Sequence, residues 1–205
     1  MQVLFEDEDI IIINKPFGIP TTDTALGEHL DKKVYVVHRL DTQTTGVLAL
    51  AKNQKTAADL SKIIAEKNFT KHYLAVVSGK CQESGEMQDE LFFDRLKNKS
   101  FVVKKERKGT KHASLTYERV AQKDELTLVR VNLLTGRTHQ IRVQFSSRKM
   151  ALFGDGKYGS RYNGDIALHC ESVEFTHPKK HTKVHITCPP QKDKAPWNVF
   201  LEYIR

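Results

Sequence analysis

The 205-residue chain has no stretch apolar enough to cross a bilayer. Its longest purely aliphatic runs, such as Ile10 to Ile13, fall far short of the roughly 20 residues a spanning helix needs. Nor does it open like a secretory signal, because Met1-Gln2-Val3-Leu4-Phe5 runs directly into Glu6-Asp7-Glu8-Asp9. Cysteine is scarce. Cys81, Cys170 and Cys188 are widely spaced and odd in number, and they form neither a disulfide framework nor a zinc-like pair. These absences point to a reducing, cytoplasmic setting. There is also no internal repeat, low-complexity tract or linker rich in Pro, Gly or Ser, so one domain over residues 1–205 is the economical expectation.

Acidic residues are in deficit as well. Asp plus Glu number 25 against 33 Lys plus Arg, a net charge of +8. Such a balance suits a polyanionic partner, either nucleic acid or an anionic membrane surface, although a merely soluble basic protein has the same composition. The excess is densest from Arg95 to Lys111, where Arg95, Lys97, Lys99, Lys104, Lys105, Arg107, Lys108 and Lys111 face Glu106 alone. A solvated hairpin would tolerate this. In a chain already basic overall, a clamp on a phosphate backbone centred on Lys104, Lys105, Arg107 and Lys108 explains it better.

The apolar pattern predicts an α+β fold in which strands outnumber helices. Val3 to Phe5 and Asp9 to Asn14 read as strands, stopped by the turn signal Lys15-Pro16-Phe17-Gly18. Val34 to Val37, Gly46 to Ala51 and Thr70 to Ser78 follow. Between the last two lies a helix from Asn53 to Lys67, capped by Asn53, with Ala57, Leu60, Ile63 and Ile64 at helical spacing. Leu91 to Phe93, Phe101 to Val103, Ser114 to Val120 and Leu126 to Leu134 suggest a largely antiparallel sheet. Thr138 is a plausible cap for a second helix through Arg148, with Ile141 and Phe145 on one face. Strands near Ile166 to Leu168, Val173 to Phe175 and Val184 to Thr187 complete the set.

Three segments carry polar residues that ordinary turns do not need. In Val37-His38-Arg39-Leu40-Asp41-Thr42-Gln43-Thr44-Thr45-Gly46, an Asp and three Thr lie between two apolar strands, which a turn alone could also explain. In Leu134-Thr135-Gly136-Arg137-Thr138-His139-Gln140-Ile141-Arg142, Arg137 stands just ahead of a helix whose free N–H groups favour anions. Phe153-Gly154-Asp155-Gly156-Lys157-Tyr158-Gly159 places three glycines within six residues, permitting close backbone approach to a ligand or RNA.

In this order the segments resemble the pseudouridine synthases of the RluA type. The resemblance begins with the strand and turn from Glu6 to Gly18, including Asn14-Lys15-Pro16-Phe17-Gly18, and continues through His38-Arg39-Leu40-Asp41, Thr44-Thr45-Gly46 and Lys71-His72-Tyr73-Leu74-Ala75-Val76-Val77-Ser78-Gly79. Gly136 to Arg142, Gly154 to Gly159, Leu168-His169 and Phe175-Thr176-His177-Pro178 complete it. It implies one catalytic domain with a mostly antiparallel mixed sheet, flanking helices and a central basic cleft, converting uridine to pseudouridine in ribosomal or transfer RNA without a cofactor. Asp41 then matches the nucleophilic aspartate, Tyr73 the tyrosine against the target base, and Arg137 the arginine that pairs with the aspartate. Those three are expected to meet in the cleft.

Arg39 matches a residue that helps displace the target nucleotide, and Ile141 and Leu168 match apolar pocket residues. His38 and Thr45 fall beside them as candidate substrate contacts, with His38 and His139 also suited to holding loops by hydrogen bonds. Thr45 stands where Ser is more frequent, and Met150-Ala151 where many members carry His-Pro. The catalytic domain is expected to start directly at the N-terminus, without a small N-terminal RNA-binding domain, and an independent monomer is expected.

A metal at His177, His181, His185 and Cys188 is disfavoured, because Pro178 and the Val184-His185-Ile186-Thr187 alternation argue for turn and strand rather than a ligand-bearing helix. Two rival functions fit the same scaffold: a non-catalytic RNA-binding protein, which would be expected to lack Asp41, Tyr73 or Arg137, and a glycosylase that releases the base.

Overall fold

The structure is a computed structural model that describes residues 1–106 and 108–204. The chain packs as two compact units, one of Met1–His72 with His169–Pro190, the other of Tyr73–Leu168 with the residues from Gln191 onward. In chain order the first unit runs through β1 (Gln2–Glu6), β2 (Ile10–Lys15), α1 (Asp23–Leu30), β3 (Tyr35–Val36), β4 (Thr45–Ala51) and α2 (Gln54–Ala65) into β5 (Phe69–Ser78). The second takes in the rest of β5, then β6 (Ser84–Asp94), β7 (Lys99–Val103), β8 (Thr110–Lys123), β9 (Leu126–Leu133) and α3 (Gln140–Ser147). Strands β10 (Leu168–Thr176) and β11 (Lys183–Thr187) belong almost wholly to the first unit, and a kinked 3-10 segment, Trp197–Tyr203, to the second.

In the first unit β2 lies between β1 and β4, antiparallel to both, while β10 runs parallel to β4 and antiparallel to β11. The unbroken aliphatic run Ile10 to Ile13 is the mark of a strand covered on both faces, and all four isoleucines are buried. Strand β4 is equally enclosed from Gly46 to Ala51. Gly46 is required there, because a Cβ would lie 2.2 Å from the Cys170 carbonyl oxygen where β4 and β10 pair, and its φ is +111°. Asn53 caps α2 as the sequence predicts, its Oδ1 accepting the Thr56 N–H at 2.8 Å.

In the second unit the strands run in the order β5-β9-β8-β6-β7, with β9 to β7 successively antiparallel. Leu74, Val76, Leu128, Ala167, Trp197, Phe200 and Ile204 form one buried cluster. Leu91, Ala113, Val143 and Tyr158 form another, onto which α3 packs.

The fold is α+β with a mostly antiparallel sheet, as the apolar pattern predicts, and several boundaries move. β6 and β8 are longer than their apolar runs, because regular pairing from Ser84–Glu118 to Phe92–Thr110 carries polar residues along with it. The run Val173 to Phe175 lies within β10, which takes in only Leu168 of the run at Ile166 to Leu168, whereas Val34 to Val37 shrinks to the two residues of β3. Thr138 does not cap α3. His139 does, at φ +55°, a left-handed conformation that stops the helix from extending back to Thr138. Helix α1 is not foreshadowed by hydrophobic spacing: Leu26 is its one buried residue, and Thr22 and the left-handed Asp31 define its ends.

Candidate active site

From Val37 onward the backbone buries alternate side chains. His38 and Leu40 point into the first unit, Arg39 faces water, and Asp41 follows half-buried. Both flanks of Asp41 are fixed. The Leu40 carbonyl accepts the Thr21 hydroxyl at 2.7 Å, and the Thr42 carbonyl accepts the Gly18 N–H at 2.9 Å. Thr44 N–H closes the turn onto the Asp41 carbonyl, also at 2.9 Å.

The same turn rests on a buried cation. Lys15 has no exposed surface, and its ammonium donates to the carbonyls of Pro16 (2.9 Å), Ile19 (2.8 Å) and Thr42 (3.2 Å). Burial pushes its amine down to about 8, opposed by the favourable charge of Asp41. In the sequence Lys15 is one residue of a turn signal, with no function assigned to it. The signal lies in the strand itself: a lysine closing β2, two residues after a buried run of four isoleucines, must bury its charge or bend away.

Thr45 and His38 are anchoring groups in the first unit. The His169 ring donates through Nε2 to the Cys188 carbonyl at 2.8 Å, which leaves Nδ1 to accept the Thr45 hydroxyl at 2.7 Å. His38 accepts the Ala49 N–H on Nε2 at 3.0 Å and packs its ring against Phe69, with centroids 4.9 Å apart. Burial lowers His38 to about 3 and His169 to about 4, so both rings are neutral.

In the second unit Tyr73 is buried on β5, and Ile141 and Leu168 are each 4% exposed. Arg137 lies in the exposed turn before α3, where the backbone braces it. Its Nε donates to the His112 carbonyl at 2.8 Å. Its N–H donates to Gln140 Oε1 at 3.0 Å, which also accepts the Thr135 hydroxyl at 2.8 Å, while Gln140 Nε2 donates to the Ser114 carbonyl at 3.1 Å. One buried amide therefore sets the turn that presents the arginine. Nothing in the sequence marks Gln140, because its partners come from β8 and from the turn itself.

In the glycine-rich segment Gly154 answers to the protein itself, whereas a Cβ on Gly156 or Gly159 would meet open space. A Cβ on Gly154 would lie 2.3 Å from the Asp165 carbonyl oxygen, so the close approach it permits is to the chain's own backbone. Asp155 is buried and accepts a bidentate pair from Arg142, Nε to Oδ2 at 2.7 Å and Nη2 to Oδ1 at 2.9 Å. Burial pushes the neighbouring Tyr158 hydroxyl up to about 12. That hydroxyl accepts the Ser100 N–H at 2.8 Å and lies 3.0 Å from His139 Nδ1. Beyond β7, Lys104, Lys105 and Lys108 are exposed, and Arg107 lies outside the described residues.

The histidine run near the end of the first unit has other partners. His177 Nδ1 accepts the N–H groups of Lys179 and Lys180, and its Nε2 lies 3.1 Å from Asp7 Oδ2. Asp7, Asp9 and His177 bring candidate ligand atoms within 4.8 Å of one another. Cations are already supplied there by Lys180, 2.6 Å from Asp7, and Lys179, 3.3 Å from Asp9.

Residues 9–147 match the family described as RNA pseudouridylate synthase. A ribosomal large subunit pseudouridine synthase C of Buchnera aphidicola is 33% identical over 92% of this chain and 67% of its own length. An uncharacterized RNA pseudouridine synthase of Helicobacter pylori is 30% identical over 100% of this chain and 69% of its own. The chain spans about two thirds of the length of such relatives. In fold it is similar to human RNA pseudouridylate synthase domain containing 1, with a TM-score of 0.80 at 20% identity, covering 97% of this chain and 86% of that one.

Proposed function

The chain belongs to the RNA pseudouridylate synthase family, and from that premise we propose that Asp41 is the nucleophile with which it converts specific uridines of structured RNA to pseudouridine. The reaction breaks the bond between N1 of uracil and C1′ of ribose, turns the freed base, and joins C5 to C1′. The C5 proton departs and N1 gains one, so nothing is consumed and no cofactor is required. A carboxylate serves such covalent chemistry only when ionised. Tyr73 is assigned to the target base as acceptor of the C5 proton, and Arg137 as the catalytic cation.

Arg39, exposed beside Asp41, helps draw the nucleotide from its stack, a step that costs a few kcal/mol and favours loosely stacked uridines. His38 and Thr45 border the bound nucleotide while anchoring the Asp41 turn, and Ile141 and Leu168 exclude water from it. The exposed lysines at 104, 105 and 108, with Arg107, hold the RNA backbone.

The observation that carries this reading is the treatment of Asp41. Its turn is tied at the carbonyls of Leu40 and Thr42 and is backed by a buried ammonium. An Asp that merely shapes a turn has no need of a desolvated lysine beside it.

The substrate is ribosomal RNA of the large subunit, with transfer RNA as the second candidate, and residues 1–205 work as one catalytic domain, a cytoplasmic monomer. The test uses transcripts of both RNAs tritiated at C5 of uridine. Wild type should release tritium and leave pseudouridine in the digest, and Asp41→Asn should bind RNA without release. Near wild-type release by Asp41→Asn would sink the assignment. Free uracil in place of pseudouridine would make the protein a glycosylase, and tight binding without any release a binding protein.

A further inference from the structure

The connection between β6 and β7 is a four-residue tip, Arg95-Leu96-Lys97-Asn98, and it is braced. Asp94 Oδ1 accepts the N–H groups of Leu96 at 3.0 Å and Lys97 at 3.1 Å, and Asn98 takes a left-handed φ of +45°. Two lysines cross-tie the tip to the 3-10 turn Gly156–Tyr158. Lys99 Nζ donates to the Lys157 carbonyl at 2.6 Å, and Lys157 Nζ donates back to the Asn98 carbonyl at 3.0 Å. Lys99 also lies over the Tyr158 ring, 4.9 Å from its centroid. Through the Tyr158 hydroxyl the brace reaches His139, two residues beyond Arg137.

At the apex of this rigid element sits Leu96, 100% exposed. A single exposed leucine is ordinary on a protein surface. This one does nothing for the turn, because Asp94 bonds to the backbone N–H and would do so for a polar residue equally. It is flanked by Arg95 and Lys97, with Lys157 alongside, and Asp94, the carboxylate at the base of the tip, is engaged by backbone donors. A preformed cationic finger carrying one apolar side chain at its point matches a polyanion that also offers apolar faces. RNA answers that description: cations meet the phosphates, and an aliphatic wedge enters a base step or covers an unstacked base.

We infer that the tip is an RNA-inserting finger, with Leu96 as the wedge and Arg95, Lys97 and Lys157 as phosphate contacts. This rests on the reading of the chain as an RNA isomerase and adds to it a second point of engagement in the second unit. The braces lower the ordering cost of binding, since the finger is already in shape. The wedge favours uridines in loops or bulges, where a step is cheaply opened.

The test places the photoreactive p-benzoylphenylalanine at position 96 of the full chain, with the same replacement at Leu201, an exposed apolar position on the C-terminal 3-10 segment, as control. The probe is a large-subunit ribosomal RNA transcript, and tritium release from C5 is followed in parallel. RNA adducts at position 96 should exceed those at 201 by about tenfold or more, and Leu96→Ser should lower kcat/KM by about tenfold while Leu96→Met holds it near wild type. Adducts no stronger than at 201, from a protein that still releases tritium, would overturn the finger and leave the isomerase reading standing. Strong adducts without tritium release would support the finger and overturn the isomerase. Protein-to-protein adducts through position 96 would make the tip a protein contact and overturn the RNA assignment.

Discussion

The buried ammonium of Lys15 donates to the carbonyl of Thr42 at 3.2 Å, directly after the candidate nucleophile Asp41. The contact joins the end of β2 to the catalytic turn, and the same ammonium holds two further carbonyls at Pro16 and Ile19. Lys15→Met keeps the length and apolar stem but strips a donor from all three. The expected loss is about 2–4 kcal/mol in urea unfolding, the cost of buried acceptors left without their charged partner. Turnover should fall by roughly tenfold to a hundredfold with KM little changed, because the nucleophile is misplaced rather than the RNA released. A variant as stable and active as wild type would remove Lys15 from any positioning role.

Gln140 stands to Arg137 as Lys15 stands to Asp41. Gln140→Leu fills the same volume and leaves the Thr135 hydroxyl, the Arg137 N–H and the Ser114 carbonyl without their shared partner. Stability should drop by about 1–3 kcal/mol, and kcat should fall further than RNA affinity. Gln140→Glu separates the two halves of the amide: it keeps the acceptor toward Arg137 and sets a carboxylate oxygen against the Ser114 carbonyl. Steady-state tritium release and filter binding on each variant would distinguish loss of positioning from loss of fold.

Which parts of this were legible in the sequence follows from where each signal resides. The aliphatic run at Ile10 to Ile13 and the Asn53 cap are local, so β2 and α2 could be read directly. The motifs His38-Arg39-Leu40-Asp41, Tyr73 and Gly136 to Arg142 are each short and contiguous, but only their order, through the resemblance to the RluA-type synthases, points to the candidate chemistry. What stayed hidden depends on partners distant in sequence or on single backbone angles. The Arg142–Asp155 pair spans 13 positions, so Asp155 read as one member of a glycine-rich loop. His139 looked like a residue within a capped helix because nothing in its neighbours announces φ +55°. Helix α1 escaped because one buried leucine makes no periodic stripe.

Acid should weaken the fold through two neutral histidines. Burial holds His38 near 3 and His169 near 4, below the ordinary value of 6.5 that the unfolded chain takes. The unfolded state therefore binds protons first. The stability these rings support is fully present above about pH 6.5 and is lost as pH falls toward 4, by at most about 1.4 kcal/mol per pH unit for each ring. Urea midpoints between about pH 7.5 and 4.5 should trace that slope. His169→Leu should lower stability at neutral pH, because the Thr45 hydroxyl and Cys188 carbonyl lose their partner, yet flatten the slope. An unchanged slope in the variant would mean that His169 is not among the groups responsible.

The Arg142–Asp155 pair has the opposite vulnerability, since its charges are 3% and 1% exposed and cannot be relieved by water. Asp155→Asn removes the carboxylate that the buried guanidinium binds in bidentate fashion, at a cost of about 3–5 kcal/mol. Removing both charges together, as Arg142→Met with Asp155→Asn, should recover part of that loss. A thermal unfolding series over the two single variants and the double variant measures the coupling, and strictly additive losses would argue against it. The 3-10 turn at Gly156–Tyr158 begins at the next residue, so Asp155→Asn should also loosen the brace beneath Leu96.

The exposed lysines that follow β7 are proposed to engage RNA through charge alone, and on that proposal their contribution is separable from that of the finger by salt. Lys104, Lys105 and Lys108 are exposed, so replacing all three with Gln should leave unfolding within about 0.5 kcal/mol of wild type. If each neutralises one phosphate, the slope of log affinity against log salt should fall by about 0.7 per residue, or roughly 2 for the triple variant, on a single-stranded target. Leu96→Ser adds no charge and should leave that slope untouched while lowering affinity at every salt concentration. An unchanged slope in the triple variant would return the segment to a solvated hairpin, and a slope altered by Leu96→Ser would mean that the finger changes which phosphates are held.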